Sequence, residues 1–249
     1  MPLLKSPTGE QHSGKELVET LMAPDGKVLY SAKHKVNPDS TLETTEENWH
    51  HEPLKSLNQD LLKGVEPKVG VAGAVGDAAA TAVAAGKLAW DIIKEGKVVG
   101  QSSDAMTCVL SKADMDPMNY VGAKDNSSRE YRWEVNDAFT LFGKINYVTI
   151  RVKADGKYLA TPSSASPAPK GYYLPSVYLD VAQCTVNFPC SASGSANLAN
   201  PSNIGREGEA NAEVKIYAKL TAGWFAQHLG ITVAFKATGK SGFTLLGGE

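Results

Sequence analysis

The chain has 249 residues, of which 42% are apolar and 21% charged, and its formal net charge at pH 7 is −2. These values are ordinary for a globular protein and accommodate one large β domain or two smaller ones. No stretch clusters lysine and arginine in the way that tracking a phosphate backbone requires, so we exclude nucleic acid as a partner.

The N-terminal residues carry no signal of the Sec type. Residues 1–7 contain neither a basic start nor an apolar run of about seven residues, which such a signal needs. We therefore expect a protein that is made in the cytoplasm without a Sec signal. Where it is exported, we expect a leaderless route.

The first predicted element is a β-hairpin over Glu16–Val36. Two strand-compatible runs flank Pro24-Asp25-Gly26. Proline suits the second position of a type I turn, and glycine supplies the positive φ that closes a three-residue hairpin loop. The sequence therefore predicts that the chain reverses at this point.

The segment after the hairpin divides into a polar loop and a short helix. Residues 37–53 are acidic and show neither a strand period nor a helix period, which indicates a surface loop or linker. Leucines then recur at helical spacing within Leu54–Lys63, which predicts a short amphipathic helix.

The most unusual segment is Val69–Glu95, which is rich in alanine and glycine. Alanine favours helix, and small residues that recur every fourth position form a smooth ridge on one helix face. We therefore predict one long helix that contacts a membrane or other copies of the chain, with burial inside the fold as the alternative. Its contact residues are Gly70, Ala74, Ala78, Ala82, Gly86 and Trp90.

From Arg129 onward, apolar and polar residues alternate in short runs with turn residues between them. This period of two predicts six or more antiparallel strands in a sandwich or barrel. A turn is predicted at Ala154-Asp155-Gly156. The predicted strands lie within Tyr131–Asn136, Ile145–Lys153, Lys157–Ala160, Tyr172–Phe188, Ala212–Leu220, Ile231–Ala237 and Phe243–Leu246.

Two long connections interrupt these strands. Thr161–Gly171 contains three prolines and is expected to be stiff and extended. Pro189–Asn211 is rich in glycine, serine and asparagine, which predicts a long loop. Loops of this length inside a compact domain are usually functional or disordered, and this one is a candidate for an arm that orders on assembly.

The three cysteines, Cys108, Cys184 and Cys190, are expected to be reduced thiols packed as small hydrophobic residues. Their odd number argues against a disulfide framework. In an extended chain the Cα atoms of Cys184 and Cys190 would be about 20 Å apart, which is too far for a disulfide.

No catalytic or metal-binding motif is intact in the sequence. Gly9–Lys15 has the spacing of a phosphate-binding loop, but Glu16 stands where such a loop needs serine or threonine. Asp114 and Asp116 are followed by proline, which indicates a solvated acidic turn. The five histidines lack zinc spacing and are expected at the surface. We therefore predict no metal and no cofactor.

Five aromatic side chains near loop ends are candidates for ligand contact, with Tyr172, Tyr173 and Trp224 as the principal ones. Tyr172, Tyr173 and Tyr178 follow the proline-rich connection, and Trp224 and Phe225 follow Gly223 at the end of a predicted strand. Flat rings with a polar edge suit sugars and lipid headgroups. We therefore expect a lipid or glycan surface as partner, with core packing as the alternative role of these rings.

Together these elements predict an α+β chain that is mainly β. An N-terminal hairpin and linker region spans residues 1–63, and the Ala/Gly-rich helix with a connecting loop spans 64–128. An antiparallel β-sandwich-like domain spans 129–249 and either has its own core or shares one with the rest. A helix that precedes a β-sandwich resembles the architecture of small pore-forming toxins such as the actinoporins, which implies action at a membrane.

Three functions from different classes follow from this organisation. The first is a leaderless, exported binding protein or effector that acts at a membrane or cell surface, with pore formation as one mode. The second is a structural or assembly subunit of a virion or secretion apparatus, which self-associates through the Ala/Gly-rich helix. The third is an enzyme whose site residues come from distant parts of the chain.

Overall fold

The computed structural model describes residues 14–64, 81–83, 88–90, 105–125, 128–138, 145–205 and 209–246. Within these ranges the protein is mostly antiparallel β-sheet with one α-helix, α1 (Glu52–Leu62), which confirms the predicted mainly-β class. The strands are β1 (Glu16–Met22), β2 (Val28–Val36), β3 (Leu42–Trp49), β4 (Thr81–Val83), β5 (Leu88–Trp90), β6 (Ala105–Leu110), β7 (Tyr120–Val121), β8 (Lys124–Asp125), β9 (Arg129–Asp137), β10 (Asn146–Tyr158), β11 (Thr161–Pro162), β12 (Gly171–Tyr172), β13 (Leu174–Val186), β14 (Cys190–Asn203), β15 (Ala210–Trp224), β16 (Gln227–Thr238) and β17 (Gly242–Leu245).

The larger sheet joins the N-terminal hairpin to strands from the rest of the chain. Its order is β3-β2-β1-β9-β10-β13-β6-β4, with β8 paired to β10. β1 pairs with β9 in antiparallel register, from Leu17 opposite Asp137 to Met22 opposite Arg132. Strands from residues 1–63, 64–128 and 129–249 therefore lie in one sheet.

The smaller sheet has the order β17-β16-β15-β14-β5, with β12 paired to β15. Its long central strand β15 pairs with β14 and β16 along almost its whole length. Alternate residues of β15, among them Val214, Ile216 and Ala218, are buried, as the period of two in the sequence predicts.

The two sheets pack face to face as a sandwich. Tyr131 of β9 donates a hydrogen bond to Ala234 O of β16 at 3.0 Å, and its ring centroid lies 5.0 Å from that of Phe235. Near the other end of β15, the rings of Tyr147 and Trp224 meet edge to face at 5.2 Å. The inward-facing side chains of both sheets belong to one continuous hydrophobic core.

The N-terminal hairpin and the short helix form as the sequence predicts. Gly26 has a φ of +84° in the turn between β1 and β2. In α1, Leu54 is fully buried. The side-chain amide of Asn58 accepts from Thr232 N at 2.8 Å and donates to Thr232 O at 2.9 Å. β17 pairs with β16 only from Phe235 to Thr238. At Thr232, beyond the end of this pairing, the side chain of Asn58 makes the hydrogen bonds that a neighbouring strand would otherwise make.

Strands replace the predicted Ala/Gly-rich helix at both stretches that the structure describes. In β4, Ala82 lies opposite Val109 of β6, and β5 places Trp90 opposite Gly194 of β14. β4 contains the β-branched residues Thr81 and Val83, which lose side-chain freedom in a helix and favour strands. The other predicted contact residues, Gly70, Ala74, Ala78 and Gly86, lie outside the described residues.

Several segments predicted as loops contain strands, and one of them is the connecting loop before Arg129, which contains β6, β7 and β8. Within residues 37–53, β3 pairs with β2 as an exposed edge strand. Because nearly all of its residues are polar, apolar and polar side chains do not alternate along it, and the sequence gives no strand signal. Within Pro189–Asn211, β14 alternates buried Cys190, Ala192 and Ala196 with more exposed serines and asparagine. Small side chains on this strand give the composition of a loop, although the period of two is present.

The predicted turn at Ala154-Asp155-Gly156 is also wrong, because β10 continues through it. Gly156 has a φ of +151°, and a Cβ atom built there would lie 2.2 Å from Ser176 O of β13. Glycine at this position therefore permits the close approach of β13, and it does not end the strand.

Candidate functional site

The three principal aromatic residues that the sequence nominates for ligand contact differ in how far they are exposed. Tyr173 and Trp224 are 0% and 1% exposed, so both are core residues and neither can reach a ligand. The hydroxyl of Tyr173 donates to Pro169 O at 3.0 Å. Tyr172 is half-buried, and Lys240 Nζ lies 5.8 Å from the centre of its ring. Large rings at inward-facing strand positions bury the most apolar area. Tyr173 and Trp224 therefore pack in the core and do not serve as the predicted ligand contacts.

A buried polar cluster joins β1, β2, β3 and β9. Glu19 is 2% exposed, and its carboxylate accepts from Trp133 Nε1 at 2.8 Å and from the Tyr30 hydroxyl at 3.3 Å. His34 Nε2 lies 3.2 Å from Glu19 Oε2, and His34 Nδ1 lies 3.1 Å from Thr44 Oγ1. His34 is 3% exposed, which corrects the expected surface position of this histidine.

This cluster serves the fold and offers no site for a substrate. Every polar atom named above has a partner, and burial leaves no path by which a substrate could reach Glu19 or His34. Burial and the neighbouring carboxylate of Glu19 raise the pKa of Tyr30, which keeps its hydroxyl protonated as a donor. The cluster therefore fixes the position of Tyr30, whose ring continues into a groove at the surface.

The groove is a cavity of about 530 Å³ between α1, the adjoining ends of β2 and β3, and the outer face of the smaller sheet. One wall is aromatic, because the ring centroids of Tyr30 and Trp49 lie 4.3 Å apart. The floor consists of two cross-strand pairs, Ser195 opposite Lys219 and Asn197 opposite Tyr217. The groove thus combines an apolar wall with a polar floor.

One end of the sandwich gathers three exposed apolar side chains, which we call the apolar tip. Ile145, Phe188 and Phe225 are 44%, 56% and 37% exposed. Ile145 precedes β10, Phe188 lies between β13 and β14, and Phe225 lies between β15 and β16. Three separate connections therefore present a large apolar residue to solvent at the same end.

Hydrogen bonds hold these connections together. Asn187 N donates to Tyr147 O at 2.7 Å, and Asn187 Nδ2 donates to Asn146 O at 2.8 Å. Cys190, two residues after Phe188, lies opposite Trp224 in the ladder between β14 and β15. The connection that carries Phe188 is thus adjacent to the other two.

An aromatic support and an unusual turn present Phe225. The Trp224 ring meets the rings of Tyr147 at 5.2 Å and Phe225 at 5.6 Å, both edge to face. Phe225 has a φ of +51° in the two-residue turn between Trp224 and Gln227, a conformation that asparagine and glycine prefer. A bulky apolar residue is uncommon at such a strained, exposed position.

In the acidic turn, hydrogen-bond donors of the protein itself already bind the carboxylate of Asp114. Its carboxylate accepts from Ser166 Oγ at 2.5 Å, from Asn119 Nδ2 at 3.1 Å and from Asp116 N at 3.2 Å. The Ser166 hydrogen bond, supported by that of Asn119, holds the pKa of Asp114 below its usual range. In the described part of the chain, no three histidine, cysteine, aspartate or glutamate side chains group as metal ligands.

The cysteines are free thiols, as predicted: Cys184 and Cys190 are buried and Cys108 is half-buried. Across the residues that the structure describes, no helix has the length and apolar character needed to cross a bilayer. No protein-family profile, curated protein or solved structure matches this chain.

Only part of this site can be found from the sequence. Trp49 lies in a polar, acidic stretch that predicts a linker, so nothing nearby marks it as a groove residue. Ser195 and Asn197 lie in the stretch that has the composition of a loop, and only their spacing of two could have assigned them to one face. Phe188 lies between Asn187 and Pro189, and such turn-forming neighbours are a signal that an apolar side chain lies at a strand end. Phe225 has only Gly223, two residues before it, as a comparable signal.

Proposed function

We propose that this protein is a non-enzymatic binding protein that attaches reversibly to a lipid membrane surface through the apolar tip. The observation that carries the proposal is the convergence of Ile145, Phe188 and Phe225 at one end of the sandwich. Of the four phenylalanines within the described ranges, Phe235 and Phe243 are core residues, and the other two both belong to the tip.

A lipid surface suits the tip because its side chains come from separate connections at a strand-end surface. Clustered exposed apolar residues mark interaction sites, whereas single ones are normal on any protein. The interfacial region of a bilayer receives apolar side chains at any spacing, so it requires no matching groove in a partner. The supporting rings of Trp224 and Tyr147 fix the direction of Phe225 before contact.

The expected strength of this contact is modest. Full burial of one side chain of this size contributes about 1.5–3 kcal/mol, and each tip residue is already about half buried in the protein. The tip as a whole therefore contributes about 2–4 kcal/mol, which supports reversible attachment and not permanent insertion.

Co-sedimentation with phosphatidylcholine vesicles tests the proposal. We expect the wild-type protein to sediment with the vesicles and the Phe188→Ser/Phe225→Asn variant to lose at least tenfold in affinity. Asparagine tolerates the positive φ of the turn that Phe225 occupies, so this variant should keep its fold. Met118→Ser/Val121→Ser is the matched control, because it removes two exposed apolar side chains from another part of the surface.

Two results would contradict the proposal. One is equal sedimentation of the wild-type protein and the tip variant, and the other is no sedimentation with either neutral or anionic vesicles. Concentration-dependent oligomers that the tip variant abolishes would assign the tip to contact between copies, as the assembly hypothesis requires. Dye release from the same vesicles separates simple attachment, which retains the dye, from pore formation.

A further inference from the structure

The floor of the groove carries four polar side chains that are open to a ligand. Ser195, Asn197, Tyr217 and Lys219 form two directly opposite pairs on β14 and β15. Within the described part of the chain, no hydrogen bond or ion pair engages these four side chains. Opposite residues in a ladder lie about 5 Å apart, so the four groups form a compact grid of donors and acceptors.

The aromatic wall is held in place before any ligand arrives. The Trp49 indole N–H donates to Glu47 Oε1 at 2.9 Å, which satisfies its polar edge. The Tyr30 hydroxyl donates to the buried Glu19 carboxylate at 3.3 Å. With both polar edges already bonded, the remaining ring surface toward the groove is apolar, and ordering it costs a ligand little.

We infer that this groove is a second binding site, separate from the apolar tip, and that it binds a pyranose sugar. A pyranose ring has an apolar face of C–H groups and a rim of hydroxyl groups. The aromatic wall suits the C–H face, and the grid of Ser195, Asn197 and Lys219 suits the hydroxyl rim.

The size and charge of the groove agree with this ligand class. A volume of about 530 Å³ falls in the range of about 300–1,000 Å³ that is usual for small-molecule sites. Lys219 and Glu47 contribute one charge of each sign to the lining. A polyphosphate would find a single cation beside an anion, and a lipid tail would leave the polar floor without hydrogen bonds.

Burial around the floor adds support. It raises the pKa of Tyr217, so the hydroxyl at that position is sheltered from bulk water and stays protonated. A hydrogen bond between a ligand and this hydroxyl therefore favours ligands that carry the matching group.

Saturation-transfer NMR on the full chain tests this site with five named probes. They are methyl α-mannoside, methyl β-galactoside, N-acetylglucosamine, glucuronic acid and N-acetylneuraminic acid. We expect transfer to the ring C–H protons of at least one of them at millimolar concentration. Stronger transfer to the two acids would indicate that Lys219 binds the carboxylate of the sugar. Equal or stronger transfer to the neutral sugars would indicate that Lys219 binds a sugar hydroxyl.

Variants of the floor locate the site. Tyr217→Phe removes one hydroxyl and keeps the ring, and we expect an affinity loss of about threefold to tenfold. Asn197→Ala/Lys219→Ala should abolish detectable transfer. Lys215→Ala is the matched control, because Lys215 lies four residues before Lys219 on the same face of β15 and outside the groove.

The inference is overturned if none of the five sugars receives transfer, or if transfer persists unchanged in the Asn197→Ala/Lys219→Ala variant with its fold intact by circular dichroism. The tip variant Phe188→Ser/Phe225→Asn should bind sugar as the wild type does. Failure of lipid attachment and failure of sugar binding are therefore separate outcomes.

Discussion

Trp133 Nε1 donates a hydrogen bond of 2.8 Å to Glu19 Oε1, although 114 residues separate the two in the chain. The bond joins β9 to β1 inside the core, and the Tyr30 hydroxyl and His34 complete the shell around the same carboxylate. The N-terminal hairpin therefore shares its core with strands of the C-terminal half. The same carboxylate fixes the aromatic wall of the groove through Tyr30.

Replacing Glu19 tests this shared core. Glu19→Gln keeps the shape of the side chain but turns one acceptor into a donor, so either the Tyr30 hydroxyl or the Trp133 N–H loses the acceptor of its hydrogen bond. We expect the free energy of unfolding to fall by about 1–3 kcal/mol, measured by urea denaturation. Glu43→Gln, at an exposed position on β3, is the control and should change stability by less than about 0.5 kcal/mol. Equal effects of the two substitutions would show that the buried cluster does not stabilise the fold.

Alanine substitutions at Gly26 and Gly156 distinguish the cost of backbone strain from the cost of a steric clash. Gly26→Ala should cost about 1 kcal/mol, because its φ is positive but nothing lies within 4 Å of the added Cβ. Gly156→Ala should cost about 3 kcal/mol or more, because its Cβ would also meet Ser176 O at 2.2 Å. Thermal or urea unfolding measures both, and a Gly156→Ala variant as stable as Gly26→Ala would argue against the close approach of β10 and β13.

The sequence predicts those parts of the fold in which local chemistry and tertiary structure agree. Pro24-Asp25-Gly26 specifies a turn by itself, and the runs around Val214 and Phe235 alternate with bulky residues. β14 is not predicted from the sequence because serine, alanine and asparagine dominate it, and only its pairing with β15 makes it a strand. β4 and β5 lie in an alanine-rich stretch whose local preference is helical, and pairing with β6 and β14 overrides that preference.

The candidate sites are harder to predict than the strands, because residues distant in sequence form them. Trp49 and Tyr217 line the same groove, although one lies on β3 and the other on β15. Phe188 and Phe225 become neighbours only through the pairing of Cys190 with Trp224. The sequence does mark the aromatic residues around Trp224 for surface contact, but it cannot show that Phe225 is exposed while Trp224 is buried.

Asp114 makes stability depend on pH. Its pKa in the folded state lies below the usual value, so the carboxylate stabilises the fold above the unfolded pKa of about 4. This stabilisation is lost as the pH falls through the folded-state pKa. We expect Asp114→Asn to lower the urea midpoint at pH 7 and to flatten its decline between pH 5 and pH 3. A decline as steep as that of the wild type would show that Asp114 does not contribute, and Asp60→Asn on α1 is the control.

The buried thiols should be unreactive in the folded protein. Burial raises the pKa of Cys184 to about 11 and that of Cys190 to about 12, so almost no thiolate exists at pH 8. We expect a thiol reagent to modify the half-buried Cys108 first and to reach the other two only after unfolding. Mass spectrometry of peptides after timed labelling measures this order, and rapid labelling of Cys190 in the native protein would contradict its placement in the core.

Attachment to lipid through the apolar tip can be measured with a spin label placed on the tip itself. In a Cys108→Ser background, a nitroxide is placed by Ala226→Cys, beside Phe225 at the tip, or by Met118→Cys away from it, so that Ile145, Phe188 and Phe225 all remain. With phosphatidylcholine vesicles, we expect the tip label to become accessible to oxygen and shielded from a water-soluble relaxing agent, while the label at position 118 stays in water. Two labels that remain equally exposed to the water-soluble agent would contradict this attachment.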